Sequence, residues 1–199
     1  MKKFALALAL LASSPLFAAP IVQDSWDNSH TIKFWNAFGQ SFTAQDAAIQ
    51  SIGFGVITAN AGSPFGGLTV KLFAGEGFGG SLLASAIVNP AATTSLGAWT
   101  DADFSAVNFI VGEHYTFQVL SADNSAYWAV QDYTRGPLDT YAGGSLYLNG
   151  AASPGDDMRF RVTPVTTPVG AVPEPTSLAL LGLGILSMLA FSRRKPKSP

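Results

Sequence analysis

The sequence predicts an all-β protein, a single antiparallel β-sandwich, with apolar segments at both ends that belong to export rather than to the domain. Three observations carry this. Apolar and polar residues alternate with period two through the middle of the chain, as strands with one buried face require. Clusters of Gly, Pro, Asn and Asp break the pattern at short intervals. No stretch of the middle region shows the 3.6-residue period of a long helix.

Taken in order, residues 1–18 read as a signal peptide. Met1, Lys2 and Lys3 form a basic head, residues 4–12 are all Phe, Ala and Leu, and small residues up to Ala18 mark the cut. That nine-residue apolar run is too short to span a bilayer. Cleavage is placed after Ala18, since a cut one residue later would leave Pro20 directly behind the scissile bond.

The sandwich occupies residues 19–163. Leu68, Val70 and Leu72 alternate with Thr69, Lys71 and Phe73; Tyr115, Phe117 and Val119 with Thr116, Gln118 and Leu120; Met158, Phe160 and Val162 with Arg159, Arg161 and Thr163. Further strands are expected at 40–44, 49–58, 81–88, 99–107, 126–133 and 145–149. Turn signals at 62–64, 75–80, 89–90, 112, 123–124, 136–137, 143–144 and 154–155 separate them. Eight or nine short strands without an internal repeat point to a sandwich, specifically a jelly roll.

Residues 164–175 follow as a linker. Pro164, Pro168, Pro173 and Pro175 stand among Thr, Val and Gly, a composition that favours extended, solvated chain. Residues 178–191 then carry no charge, widening to 176–192 with Thr176, Ser177 and Ser192. At about 1.5 Å per residue this is roughly 25 Å of helix, at the lower limit for crossing a hydrocarbon core. The basic tail 193–199, with Arg193, Arg194 and Lys195, would stay cytoplasmic and place residues 19–175 outside.

Charge and cysteine content exclude several classes. The region between signal and tail keeps five bases against twelve acids, which argues against a nucleic-acid partner. There is no cysteine, so the domain is held without disulfides and has neither thiol nucleophiles nor thiolate metal sites.

Val172, Pro173, Glu174 and Pro175, the short apolar segment and the Arg-rich end together resemble the PEP-CTERM sorting signal of exported bacterial proteins. The resemblance implies an exosortase as partner, a membrane-embedded transpeptidase-like enzyme that cleaves near the motif. It also implies only transient membrane anchoring, then transfer to the cell surface or the extracellular polysaccharide matrix. The alternative is a permanent C-terminal anchor whose prolines cap a helix. Across the domain, the succession Gln40 to Phe42, Leu68 to Phe73, Trp99, Tyr115 to Phe117, Trp128, Ser145 to Tyr147 and Met158 to Phe160 resembles the jelly-roll, carbohydrate-binding-module-like ectodomains that bacteria carry on varied surface anchors.

The domain's own chemistry is sparse. Gly75, Gly77 and Gly80 satisfy G-x-G-x-x-G after a strand, but only eight residues separate Gly80 from Asn89, too few for the crossover helix that a dinucleotide turn needs. The motif is therefore read as a hairpin loop. His30 and His114 have no metal-binding spacing, and Glu113 with His114 reads as a solvated turn pair. Glycosidase chemistry needs two opposed carboxylates, and no pair is singled out among ten aspartates and two glutamates. No catalytic residue and no cofactor are called for.

Two features suit a binding module. Trp26, Trp35, Trp99, Trp128 and Tyr133 are candidate platforms for sugar rings, whose C–H faces stack on aromatics. Asp24, Asp27, Asn28, Asp101, Asp103 and above all Asp156 and Asp157 supply oxygens of the kind calcium takes, though no EF-hand spacing is present. The expectation is an exported, non-enzymatic surface or matrix protein with weak carbohydrate contact. A matrix polysaccharide hydrolase and a purely structural coat protein are the alternatives.

Overall fold

The period-two segments become strands because alternation lets one face bury while the other stays wet. A computed structural model describes residues 19–35, 37–58, 66–91, 98–121, 128–134 and 140–165. Their strands are β1 (Ile21–Gln23), β2 (Asn28–Thr31), β3 (Phe38–Thr43), β4 (Ile49–Thr58), β5 (Leu68–Ala74), β6 (Leu82–Val88), β7 (Trp99–Asp103), β8 (His114–Ser121), β9 (Trp128–Tyr133), β10 (Leu146–Leu148), β11 (Ala151–Ser153), β12 (Asp157–Met158) and β13 (Phe160–Pro164). The signal segment 1–18 and residues 166–199, with the linker motif, the apolar segment and the basic tail, lie outside the described residues.

Every strand pairing is antiparallel, and the strands form two sheets. The first runs β1-β13-β4-β9-β12, with β7 also on β4 and β2 also on β9. The second runs β11-β10-β3-β8-β5-β6. The chain passes repeatedly between sheets: β3 lies in the second, β4 in the first, β5 and β6 in the second, β7 in the first and β8 in the second.

Phe54 and Phe160 from the first sheet meet Phe117 from the second, at ring-centroid distances of 6.4 and 6.0 Å. Leu68, Val70, Leu72, Phe117, Val119 and Met158 are fully buried, as their alternation predicts. Each such side chain contributes about 1.5–3 kcal/mol by leaving water.

The thirteen strands exceed the expected eight or nine. β1, β2 and β11 were not anticipated: they have three or four residues each, and Asn28–Thr31 is wholly polar. The strand expected at 99–107 ends at Asp103, where the carboxylate accepts the Ser105 N–H at 2.8 Å and closes a turn.

The glycine motif lies in the β5–β6 hairpin, with strand β6 and no helix behind it. Its loop folds onto the outer face of the second sheet. Gly77 N donates to Thr116 Oγ1 at 2.8 Å, and that hydroxyl donates to Gly75 O at 2.8 Å. Phe78 then stacks beside Phe73 and Tyr147, with centroids 5.9 and 5.3 Å away.

Candidate functional site

Among the described residues, the outer face of the first sheet gathers polar and aromatic side chains around Trp99. Register sets its rows. Trp99 on β7 opposes Gly55 on β4, whose N–H bonds the Arg159 carbonyl; Asp101 opposes Gly53, which opposes Arg161; Asp103 opposes Ser51, which opposes Thr163. The middle strand thus offers two glycines and a serine, and the arginine side chains lie across that bare floor. A Cβ on Gly53 would come within 2.8 Å of Arg161 Nε, and one on Gly55 within 2.9 Å of Arg159 Cδ.

The two guanidinium carbons stand 4.3 Å (Arg159) and 4.9 Å (Arg161) from the centroid of the Trp99 ring, within cation–π range. Arg161 donates to Asp101 through Nε at 3.1 Å and Nη2 at 2.5 Å. Arg159, only 5% exposed, gives Nε and Nη2 to Asp24 Oδ1 at 2.7 and 2.6 Å, and Nη1 to Gln131 Oε1 at 2.8 Å. Its buried charge is therefore compensated on every side that the geometry shows. Gln131 Nε2, fully buried, finds no hydrogen-bond partner. Asp103, next in the β7 row, is held below the usual carboxylate range by the backbone N–H and then the hydroxyl of Ser105.

The five aromatic candidates separate. Trp99 is partly exposed on this face. Trp128 is 1% exposed in the core, with Nε1 donating to Gly66 O at 2.8 Å, so it offers no ring to a ligand in solvent. Trp35 packs against the core and meets His30 edge-on at 4.5 Å. Trp26 and Tyr133 are half-buried, Tyr133 at the end of β9 opposite Asp157. No continuous row of exposed Trp and Tyr forms among the described residues.

The calcium candidates are employed in tying the chain together. Asp157, fully buried, accepts from Gln40 Nε2 at 2.9 Å, Thr140 Oγ1 at 2.8 Å and Tyr141 N at 2.8 Å. Asp156 accepts from Ser153 Oγ at 2.5 Å. Asp27 accepts the Thr134 N–H at 3.0 Å, and Asn28 Oδ1 accepts the Ser29 N–H. Among the described residues no three His, Asp or Glu side chains converge as a metal cluster. The pair Glu113 and His114 is exposed, and His114 faces Glu76 at 3.5 Å across the hairpin loop.

Sequence reasoning missed two arrangements. One is the arginine pair over Trp99; its signal was present in the outward positions of Arg159 and Arg161 and in the Gly-x-Gly of β4, but joining them needs the register. The other is His30 with Asp132, where His30 Nδ1 stands 2.9 and 3.0 Å from the two carboxylate oxygens. Burial pushes the Asp132 carboxyl above its usual range, and the His30 hydrogen bond opposes that only in part.

Comparison with known families finds a match to the PEP-CTERM protein-sorting motif at residues 171–195. It covers Val172, Pro173, Glu174, Pro175, Arg193, Arg194 and Lys195, all outside the described residues. Such a motif implies processing by an exosortase, a membrane enzyme, and with it export to the surface or the extracellular side. No match to the chain was found among the curated proteins.

Proposed function

We propose that this chain is a non-enzymatic matrix or cell-surface protein, a jelly-roll sandwich led out by its signal segment 1–18 and held transiently by the segment 176–192. After cleavage near Glu174 it makes weak contact with extracellular polysaccharide through the Trp99 face. The observation that carries the route is the sorting-motif match at 171–195, with an acid between two prolines before an apolar run. The repeated passage of strands between the sheets supports the jelly-roll reading.

The employment of the carboxylates supports a non-catalytic domain. Asp24 and Asp101 neutralise arginines, Asp132 meets His30, and Asp157 is filled by three donors. For carbohydrate, Trp99 supplies an aromatic surface while Asp101, Asp103 and Arg161 beside it can exchange hydrogen bonds with hydroxyls. The burial of Trp128 and the core packing of Trp35 favour a second reading, a purely structural coat protein.

Two variants test these readings separately. In a host with a matching exosortase, Glu174→Ala should leave the uncut form in the membrane while wild type is released; equal release would sink the sorting route. Trp99→Ala should abolish retardation in gels containing matrix polysaccharide. If wild type is not retarded either, the coat reading takes its place.

A further inference from the structure

We propose that the β6 edge is a homodimerisation surface, on which a second copy of this chain pairs its own β6 antiparallel about Ser85. β6 ends the second sheet and pairs with β5 alone. β7 of the first sheet passes close to β6, yet among the described residues no backbone hydrogen bond joins β6 to any strand but β5, which leaves its outer row of donors and acceptors for another strand.

The other sheet ends are poor templates. β1, β11 and β12 have three residues or fewer, β2 has four polar ones, and β7 carries Asp101 and Asp103. Short length and charge are the usual protection of an edge. β6 has seven residues and no charge, and Leu82, Leu83 and Ile87 are 53, 41 and 71% exposed.

The occupant follows from the strand's own sequence. Leu82, Leu83, Ala84, Ser85, Ala86, Ile87 and Val88 read nearly alike from both ends. Antiparallel pairing about Ser85 places Ser85 on Ser85, Ala84 on Ala86, Leu83 on Ile87 and Leu82 on Val88, so small meets small and large meets large. Few unrelated strands would match it at every position. The register shift at Leu83 puts β6's irregularity at the outer pair, Leu83 on Ile87, and leaves the central residues Ala84, Ser85 and Ala86 in regular pairing.

Charge does not oppose the pairing. Lys71 lies opposite Ser85 one strand inward, so the two copies of Lys71 would sit three strand spacings apart. That is about 14 Å, beyond a Debye length of about 8 Å. One strand pair with its flanking side chains buries less than the roughly 1,200 Å² at which stable interfaces begin. The dimer is accordingly weak, and populated where copies are crowded.

Cross-linking captures a weak dimer, and the cysteine-free chain suits it. Directly opposed residues of an antiparallel pair have Cα atoms about 4.5–5.5 Å apart, inside the range a disulfide bridges. Full-length Ser85→Cys, exported to an oxidising compartment, should form a disulfide-linked dimer on non-reducing gels. Ile87→Cys, with its two copies offset by about 14 Å along the strands, should give about tenfold less. Adding Leu83→Lys and Ile87→Lys to Ser85→Cys sets lysine against lysine and should lower its yield to the Ile87→Cys level. All three are exposed positions, so loss of fold does not mimic the effect. Equal yields for Ser85→Cys and Ile87→Cys, or no response to the lysines, would overturn the proposal.

Discussion

At the scale of single residues, space decides what the outer face of the first sheet can hold. Gly53 lies beneath the Arg161 and Asp101 side chains, and a methyl there would meet Asp101 Oδ1 at 2.5 Å and Arg161 Nε at 2.8 Å. These are side-chain atoms that can swing outward, so Gly53→Ala should lose the ion pair but keep the strand. The expected loss is about 1–2 kcal/mol, read as a lower denaturant midpoint with unchanged slope. Asp132 makes a different statement. Burial raises its carboxyl above the ordinary 3.8, so the folded chain keeps this proton to higher pH than the unfolded one. Its contribution is full below the ordinary value and is lost as pH rises through the raised one. The groups acting on it are His30, which favours the anion, and Asp27 and Asp156, which disfavour it. Asp132→Asn should remove this fall, so the two denaturation midpoints, plotted against pH upward from 3.8, should diverge; parallel curves would refute the assignment.

At the scale of elements, the β5–β6 loop is fixed from beneath by Gly39. A Cβ there would overlap the Phe117 carbonyl oxygen and approach the Phe78 ring at 2.9 Å. The ring can move; the carbonyl belongs to the paired strand and cannot. Gly39→Ala should therefore lose about 2–3 kcal/mol, and adding Phe78→Ala should not restore it, as thermal unfolding of both variants would reveal. The elements also show what was legible in the sequence. β4, β5, β8 and the 157–164 segment stood out because apolar residues alternate over five or more positions, and β6 because a short, nearly unbroken apolar run lies between turn signals. β1, β2 and β11 were hidden because their pairing comes from tertiary partners and not from a pattern of their own. Trp99 was legible as a candidate, yet its arginines were not, because they come from the β12–β13 segment some 60 residues away, joined through β4. Trp128 was misplaced for the matching reason, since a core indole and a surface one look the same in sequence.

At the scale of the whole molecule, the chain divides its tasks between a sandwich that ends by Val165 and a C-terminal motif beginning at residue 171. The exosortase that the motif implies has to reach the proline-flanked acid, and we expect it to need room between that point and the folded domain. Between Val165 and Pro173 lie residues 166–172, seven positions containing Pro168. Seven residues of fully extended chain, at about 3.3 Å each, would reach at most roughly 23 Å, comparable to the width of a small domain. Their composition suits this reach, because Pro and Thr favour open backbone over a helix that would shorten it by half. Removing residues 166–170 keeps every described strand and the whole matched motif, but shortens the chain between the sandwich and the proline-flanked acid. The deletion variant should export and fold with an unchanged melting temperature, while its processing slows to the level of Glu174→Ala. Pulse-chase conversion of the longer to the shorter form measures this directly. Normal conversion would mean that the enzyme tolerates a domain at its entrance, and that residues 166–170 are needed for neither reach nor recognition.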